Sequence, residues 1–257
     1  MPLDDFKKAH NYDLATQILQ QYLDIKFAHQ DCLVLFRLGD FFELFYDDAR
    51  NVSRLLGLTL TKRANKENYV EMCGVPYHAI NTYIPRLLDA GYKIAICQQL
   101  ESPEEAKKRG GSKAVVKRQV VRVLTPGTLY EENLLDVAPN YLMSIVAKDK
   151  QMAITYLDVS TLEFNVMKVA SSDVVAQVMR ISPKEILVSQ GLSAEIKDAL
   201  GFADIYFATQ ADSYFAENKA KRTVEHFTKC SRKAPNLLYG DIRLKRYGLR
   251  DRIMPSY

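Results

Sequence analysis

The sequence has no apolar run that approaches the roughly 18 residues of a membrane-spanning helix. Residues 1–8 also lack the positively charged segment and the following apolar segment that mark a secretory signal. Both absences argue against a membrane-embedded or exported protein. We therefore expect a cytoplasmic protein.

Cysteine is scarce, and its four positions lie far apart without any C-x-x-C pair: Cys32, Cys73, Cys97 and Cys230. Two of them fall within apolar runs typical of strands. This usage predicts buried free thiols in a reducing compartment. A zinc site at Cys73 and His78 is not predicted either, because no second ligand pair lies at a workable spacing, and a structural role is expected for His78.

Catalytic motifs are also absent. The sequence contains neither the G-x-x-x-x-G-K-[ST] phosphate loop nor the G-x-S-x-G nucleophile elbow, and residues 110–113 do not have the phosphate-loop spacing. Asp158 and Glu163 are too few for the carboxylate cluster of a two-metal nuclease, so Asp158 is expected to be a strand-end or surface residue. We therefore predict no catalytic residue, no metal ligand and no bound cofactor in this chain.

Length and composition indicate a globular protein. At 257 residues the chain suffices for two domains, each large enough to bury its own core. Its contents of 47% hydrophobic and 26% charged residues exclude the disordered and collagen-like classes. The net charge of +4 is compatible with a polyanionic partner but does not require one.

Residue patterns in the first half predict an α/β domain with alternating elements. An amphipathic helix is expected over residues 14–28, with Asp13 as its cap. A buried strand over residues 32–36 leads to a turn at Gly39 and Asp40. The further predicted elements are helices over 49–57 and 83–90, β-like segments over 58–61, 69–72 and 92–98, a basic turn over 62–66 and an exposed mobile loop over 101–113.

Aromatic residues cluster just after that turn, within six positions: Phe41, Phe42, Phe45 and Tyr46. If a helix begins here, the last three share a buried face, and Phe41 points elsewhere with Glu43 beside it. The alternative is that all four aromatic rings are core and that Asp40 is an N-cap, with Glu43 completing a capping box.

The second half predicts another domain after an acidic segment over 130–136. Its pattern is three strands over 141–147, 152–158 and 163–169, then a helix over 171–180, a strand over 186–189 and a helix over 194–200. Three sequential strands followed by alternating helix and strand describe an RNase H-like layout. Beyond it the sequence is rich in lysine and arginine.

The segment over residues 36–49 resembles the one that carries the Phe-x-Glu motif of the MutS mismatch-repair family, with Phe41 and Glu43 on the motif. Further motifs follow in the family's order over residues 60–63, 72–79, 95–99 and 120–128. The resemblance implies a mixed-sheet mismatch-recognition domain over 1–125, a linker over 126–140 and an RNase H-like connector domain over 141–235. A basic tail over 236–257 stays unassigned.

The resemblance implies that the chain binds mismatched double-stranded DNA, with the Phe41 ring stacking at mispaired or unpaired bases and Glu43 contacting the mispaired base. The implied DNA-binding residues are Phe41, Glu43, Lys62, Arg63, Met72 and Arg118. Arg118 matches a basic family position, whereas Gln119 stands where a second basic residue is common. The resemblance also implies that repair proteins bind the connector domain.

By the same resemblance, ATP and Mg²⁺ belong to an ATPase part that is missing from these 257 residues, as are the parts through which the full-length family self-associates. We therefore expect a non-enzymatic, monomeric chain that binds DNA weakly when alone. Two alternatives stay open. One is an RNase H-like nuclease or resolvase that uses Asp158, and the other is a protein-interaction module for repair partners.

Overall fold

The computed structural model describes residues 1–66, 68–129, 139–148, 151–216, 218, 219 and 222. Most of the predicted linker, the end of the predicted connector domain, the basic tail and Cys230 lie outside the described residues. The chain divides into two compact units, with the boundary between Thr125 and Pro126. No helix among the described residues is long and apolar enough to cross a membrane.

The first unit is a six-stranded mixed sheet with helices packed on it. Its described helices are α1 (Leu3–Ala9), α2 (Gln17–Ala28), α3 (Tyr46–Leu56), α4 (Ile80–Asp89) and α5 (Pro103–Gly110). Its strands are β1 (Cys32–Leu38), β2 (Phe41–Phe45), β3 (Thr61–Asn65), β4 (Asn68–Pro76), β5 (Lys93–Gln99) and β6 (Arg118–Leu124). The strand order is β3-β4-β2-β1-β5-β6, in which β1 and β5 are parallel and the other neighbours are antiparallel. The predicted mixed α/β domain is confirmed.

Helices pack on both faces of this sheet around β1, and successive strand residues point to opposite sides. On one face, Val34, Phe36 and Phe45 pack against α1 and α2, whose Leu19 and Tyr22 complete the core. On the other face, α3 contacts β2 and β4, and α4 contacts β5. The apolar run of β1 is therefore continuous rather than alternating, as expected for a strand covered on both sides.

The segment after the turn is a strand, so the prediction of a helix start at Phe41 was wrong. β2 pairs with β1 on one side and with β4 on the other, and these two ladders bind its backbone along most of its length. Asp40 lies in the hairpin turn with a fully exposed side chain, so neither the N-cap nor the capping box exists there. Helix α3 begins only at Tyr46 and ends where predicted, at Gly57 with φ +70°.

Several other predicted elements differ from the structure. Helix α2 begins at Gln17 after a short 3-10 turn, so Asp13 is not its cap. The predicted basic turn is strand β3, and β4 extends beyond the predicted segment over 69–72, through Gly74 to Pro76. The predicted mobile loop contains α5, which Ser102 and Glu105 close with a reciprocal capping box.

The second unit is a five-stranded mixed sheet with helices on one face. Its strands are β7 (Tyr141–Lys148), β8 (Gln151–Asp158), β9 (Phe164–Ala170), β10 (Glu185–Ser189) and β11 (Tyr206–Gln210), and its described helices are α6 (Val174–Ile181) and α7 (Ser193–Leu200). Strands β7, β8 and β9 form an antiparallel meander, and β10 lies parallel to both β7 and β11, in the order β11-β10-β7-β8-β9. This order confirms the RNase H-like layout, to which the structure adds β11.

Candidate nucleic-acid interface

The β1–β2 hairpin places Phe41 at an exposed corner of the first unit. Gly39 takes a φ of +60° in the turn, a conformation that glycine adopts without steric cost. Phe41 is the first residue of β2 and pairs with Leu38. Its side chain is 46% exposed, whereas Phe42 and Phe45 are buried. A large aromatic ring is therefore presented outward by a strand that is otherwise part of the core.

Strand alternation puts Phe41, Glu43 and Phe45 on the same face of the sheet. Phe45 lies beneath α2, and its ring centre is 5.0 Å from that of Tyr22. The helix that lies over Phe45 does not extend over Phe41. We refer to the uncovered part of this face as the open end, formed by Phe41, Glu43, Arg63, Gly74 and Arg118.

Glu43 and Arg63 form an ion pair within the open end. Arg63 Nη1 donates to Glu43 Oε2 at 2.9 Å, and the two side chains are only 28% and 13% exposed, respectively. Burial raises the pKa of Glu43, while the positive charges of Arg63 and Arg118 oppose that rise. Glu43, which the resemblance implies as a base contact, is thus bound to Arg63, which the resemblance implies as a DNA-binding residue.

The guanidinium of Arg118 is bound by the protein itself. Its Nε donates to the Arg37 carbonyl at 2.6 Å, and its Nη1 donates to the Val116 carbonyl and to Gln21 Oε1. The same group lies 4.9 Å from the ring centre of Phe36. Arg118 is therefore held in place by acceptors of the protein itself, and a DNA contact for it stays a prediction.

Two further predicted contacts lie apart from this cluster. Lys62 is exposed on β3, but it neighbours Arg63 in the strand and so points to the opposite face. Met72 is partly buried and packs against the core beneath α2. The structure thus brings together Phe41, Glu43 and Arg63 and leaves Lys62 and Met72 outside the open end.

Gly74 was not predicted as part of the site, although it forms the floor of the open end. It pairs with Glu43 across the ladder. A Cβ placed at this position would lie 3.6 Å from Cδ1 of Phe41 and 3.8 Å from Cγ of Glu43. A glycine inside a strand often marks such a close approach, and this was the signal in the sequence.

Arg37 and Tyr77 were also missed, and they hold the hairpin turn in place. The Arg37 guanidinium lies 3.6 Å from the ring centre of Tyr77, and its Nε donates to the Gly39 carbonyl. The Gly39 amide donates to Gln99 Oε1, and the Tyr77 amide donates to the Asp40 carbonyl. The exposed Phe41 ring is therefore carried by a turn whose backbone is fixed from two sides.

In the second unit, the environment of Asp158 does not fit a nuclease. Asp158 is buried at the end of β8 and accepts hydrogen bonds from the Asn140, Ser160 and Thr161 amides and from the Ser160 hydroxyl. Burial raises the pKa of Asp158, but these hydrogen bonds outweigh burial and lower the pKa below its ordinary value. The prediction of a strand-end residue was right, whereas a surface position was wrong.

The described residues contain no cluster of three or more His, Cys, Asp or Glu side chains that could bind a metal ion. Cys73 is buried with its thiol against the Ala49 carbonyl, whereas His78 is exposed, so the two do not share an environment and the structural role expected for His78 finds no support. Cys32 and Cys97 are buried free thiols as well. The structure thus gives Asp158 and Cys73 structural roles.

Two family models match the chain. Residues 16–133 match MutS domain I, and residues 140–245 match MutS domain II. The chain is 52% identical over 236 residues to the DNA mismatch repair protein MutS of Rickettsia akari (strain Hartford), an alignment that covers 89% of this chain and 26% of that protein. It is 51% identical over 229 residues to the DNA mismatch repair protein MutS of Orientia tsutsugamushi (strain Ikeda), which covers 87% and 26%. The chain spans about a quarter of the length of the curated relatives it matches.

Proposed function

This chain belongs to the MutS family, and on that basis we propose that its first unit recognises mismatched double-stranded DNA through the open end. In this proposal Phe41 stacks on a mispaired or unpaired base, and Glu43 contacts that base. The chain has a binding role here, without a catalytic residue, a metal ion or a cofactor. By the resemblance, ATP and Mg²⁺ belong to the family's ATPase part.

The exposed ring of Phe41 is the observation that carries the proposal. It is a large hydrophobic side chain at 46% exposure, on a turn that Arg37 and Tyr77 hold in place. Opening a base step costs a few kcal/mol, and least where pairing is already faulty. Stacking on an aromatic ring returns roughly 1–3 kcal/mol per base, which offsets the cost at a mispair but not at a sound pair. Selectivity follows from this difference in deformability.

Glu43 adds discrimination because a carboxylate close to DNA is electrostatically unfavourable unless it meets a donor. The N3–H of a thymine freed by mispairing is such a donor. A purine N7 is an acceptor, so there the carboxyl group would have to be protonated. In matched DNA the thymine donor is used by its partner base. Glu43 therefore penalises matched DNA more than mismatched DNA.

The test is a titration of the 257-residue chain against a mismatched and a matched duplex at one low salt concentration. We expect Phe41→Ala to lower the ratio of the two affinities by about tenfold, the size of one lost stacking interaction. Phe164→Ala is the matched control, because Phe164 is also an exposed phenylalanine but lies in the second unit. An unchanged affinity ratio for Phe41→Ala would exclude Phe41 as the residue that stacks on the mispaired base.

The second unit has a separate role. We propose that it is the connector domain through which repair proteins bind, in line with its match to MutS domain II. Its edge strand β9 exposes Phe164 and Val166, an apolar pair that supports a protein-binding role.

A further inference from the structure

The family resemblance implies Arg63 as a DNA-binding residue, but its guanidinium is bound to Glu43 at 2.9 Å. We propose that Arg63 is a positioning residue, which holds the Glu43 carboxylate charged and in place and so sets how strongly the protein rejects matched DNA. This inference rests on the proposed function of Glu43. It gives Arg63 a role in selectivity rather than in general affinity for DNA.

The path of the Arg63 side chain supports this role. Arg63 lies on β3 opposite Val70, whereas Glu43 lies on β2 opposite Gly74, so their backbones are not direct neighbours. The Arg63 side chain spans this distance diagonally, and its guanidinium lies 6.0 Å from the ring centre of Phe45. Sheet pairing and the aromatic ring below it fix the route of the side chain. The carboxylate is thereby held beside Phe41.

The other groups that face Glu43 leave Arg63 as its direct partner. Strand β4 offers Gly74 and β1 offers Phe36, neither of which is charged. From β6, the positive charge of Arg118 acts on Glu43, but the Nε and Nη1 atoms of Arg118 donate to other acceptors. Among the described groups, Arg63 is therefore the charge that both contacts and neutralises Glu43.

Loss of the Arg63 charge should change the pH at which Glu43 takes up its proton. Burial raises the pKa of Glu43, and Arg63 opposes that rise, so without Arg63 the pKa is higher. The carboxyl group then takes up its proton at a higher pH. A protonated carboxyl no longer repels the phosphates, and its carbonyl oxygen accepts the N3–H of thymine less strongly than a carboxylate does. The part of the preference for mismatched DNA that depends on the Glu43 charge should therefore be lost at a higher pH than in the wild-type protein.

The experiment measures affinities for a duplex with an unpaired thymine and for its matched counterpart over a pH series at fixed salt. The expected wild-type result is an affinity ratio that falls as the pH falls through the pKa of Glu43. Arg63→Gln should shift this fall to higher pH and reduce the ratio near neutral pH by about fivefold, the effect of a lost partly buried ion pair. Arg63→Lys retains the charge and should restore most of the wild-type profile.

Lys62→Gln is the matched control, because Lys62 is the adjacent cation on the opposite face of β3. It should lower both affinities by a similar factor and leave the pH profile in place. In the background of Glu43→Gln, the Arg63→Gln substitution should have no further effect on the ratio. Circular dichroism of each variant checks that the fold is retained.

The outcomes separate the two proposals. A wild-type chain that shows no preference at any pH contradicts the proposed function itself. A wild-type preference with the same pH profile in Arg63→Gln contradicts the positioning role alone. Arg63→Lys guards against a misfolded Arg63→Gln, because a shifted profile in both variants would also overturn the charge-based explanation.

Discussion

The two ends of one sheet face in the first unit differ in what covers them. At the covered end, α1 and α2 lie over Phe36 and Phe45, whose rings contact Tyr22 and each other. At the open end, Phe41 points in the same direction from the same strand and remains 46% exposed. Strand alternation is identical at both ends, so the position of a helix decides which aromatic ring is core and which is surface.

Each end also has a carboxylate, and the two are bound in different ways. Asp48 at the covered end is buried and accepts from the Tyr22 hydroxyl, the Val34 amide and Lys26 Nζ. Glu43 at the open end has Arg63 as its direct partner. Three donors within the protein bind the buried Asp48 carboxylate, which leaves it no access to a ligand. Glu43 has one direct donor and keeps acceptor capacity for a ligand.

The largest expected effect is a loss of folding stability when a ring is removed from the covered end. Phe45→Ala removes a fully buried ring and should lower the free energy of unfolding by about 3–5 kcal/mol. Phe41→Ala removes a half-exposed ring and should cost less than about 1.5 kcal/mol. Chemical denaturation of both variants measures the difference. If the two costs were equal, Phe41 would be a core residue and the distinction between the ends would fail.

The covered end was largely predictable from sequence. The apolar run of β1 and the glycine that ends α3 are local signals, and both gave correct elements. Helix α5 was missed although its signals were local too, since Ser102, Pro103 and Glu105 form a capping box with proline at the first helical position. The polar composition of residues 101–113 favours a loop and so conflicts with the capping pattern.

The geometry of the open end could not be predicted from sequence by the same means. A short apolar segment such as residues 41–45 fits a helix or a strand equally well, and pairing with β4 decides between them. The partner of Arg63 depends on the register of three strands, which no local pattern encodes. The family resemblance implies Phe41 and Glu43 as DNA-binding residues, but it does not imply the contact between Glu43 and Arg63.

A smaller effect tests how strongly the buried carboxylate of the covered end contributes to stability. Asp48→Asn leaves Lys26 without its counter-ion and should lower the free energy of unfolding by about 2 kcal/mol, the value of a hydrogen-bonded charge pair. The control is Asp47→Asn, because the neighbouring Asp47 side chain is 74% exposed and its ion pair with Arg50 should contribute less than about 1 kcal/mol. Thermal unfolding of both variants gives the comparison. Equal losses would mean that Asp48 is no better shielded than a surface acid.

The smallest expected effect concerns the floor of the open end. Gly74→Ala should raise the free energy of unfolding by about 0.5 kcal/mol, because glycine weakens a strand and the added methyl group would meet Phe41 at an ordinary contact distance. The affinity ratio for mismatched and matched duplex should change less than about twofold. Gly57→Ala is the control and should be destabilising, because its φ of +70° disfavours any other residue. Gly74→Ala could instead lose the preference for mismatched DNA without losing stability. That result would mean that the Phe41 ring has to move closer to the backbone of Gly74 when it stacks on a base. The two ends would then differ in their floor as well as in their cover.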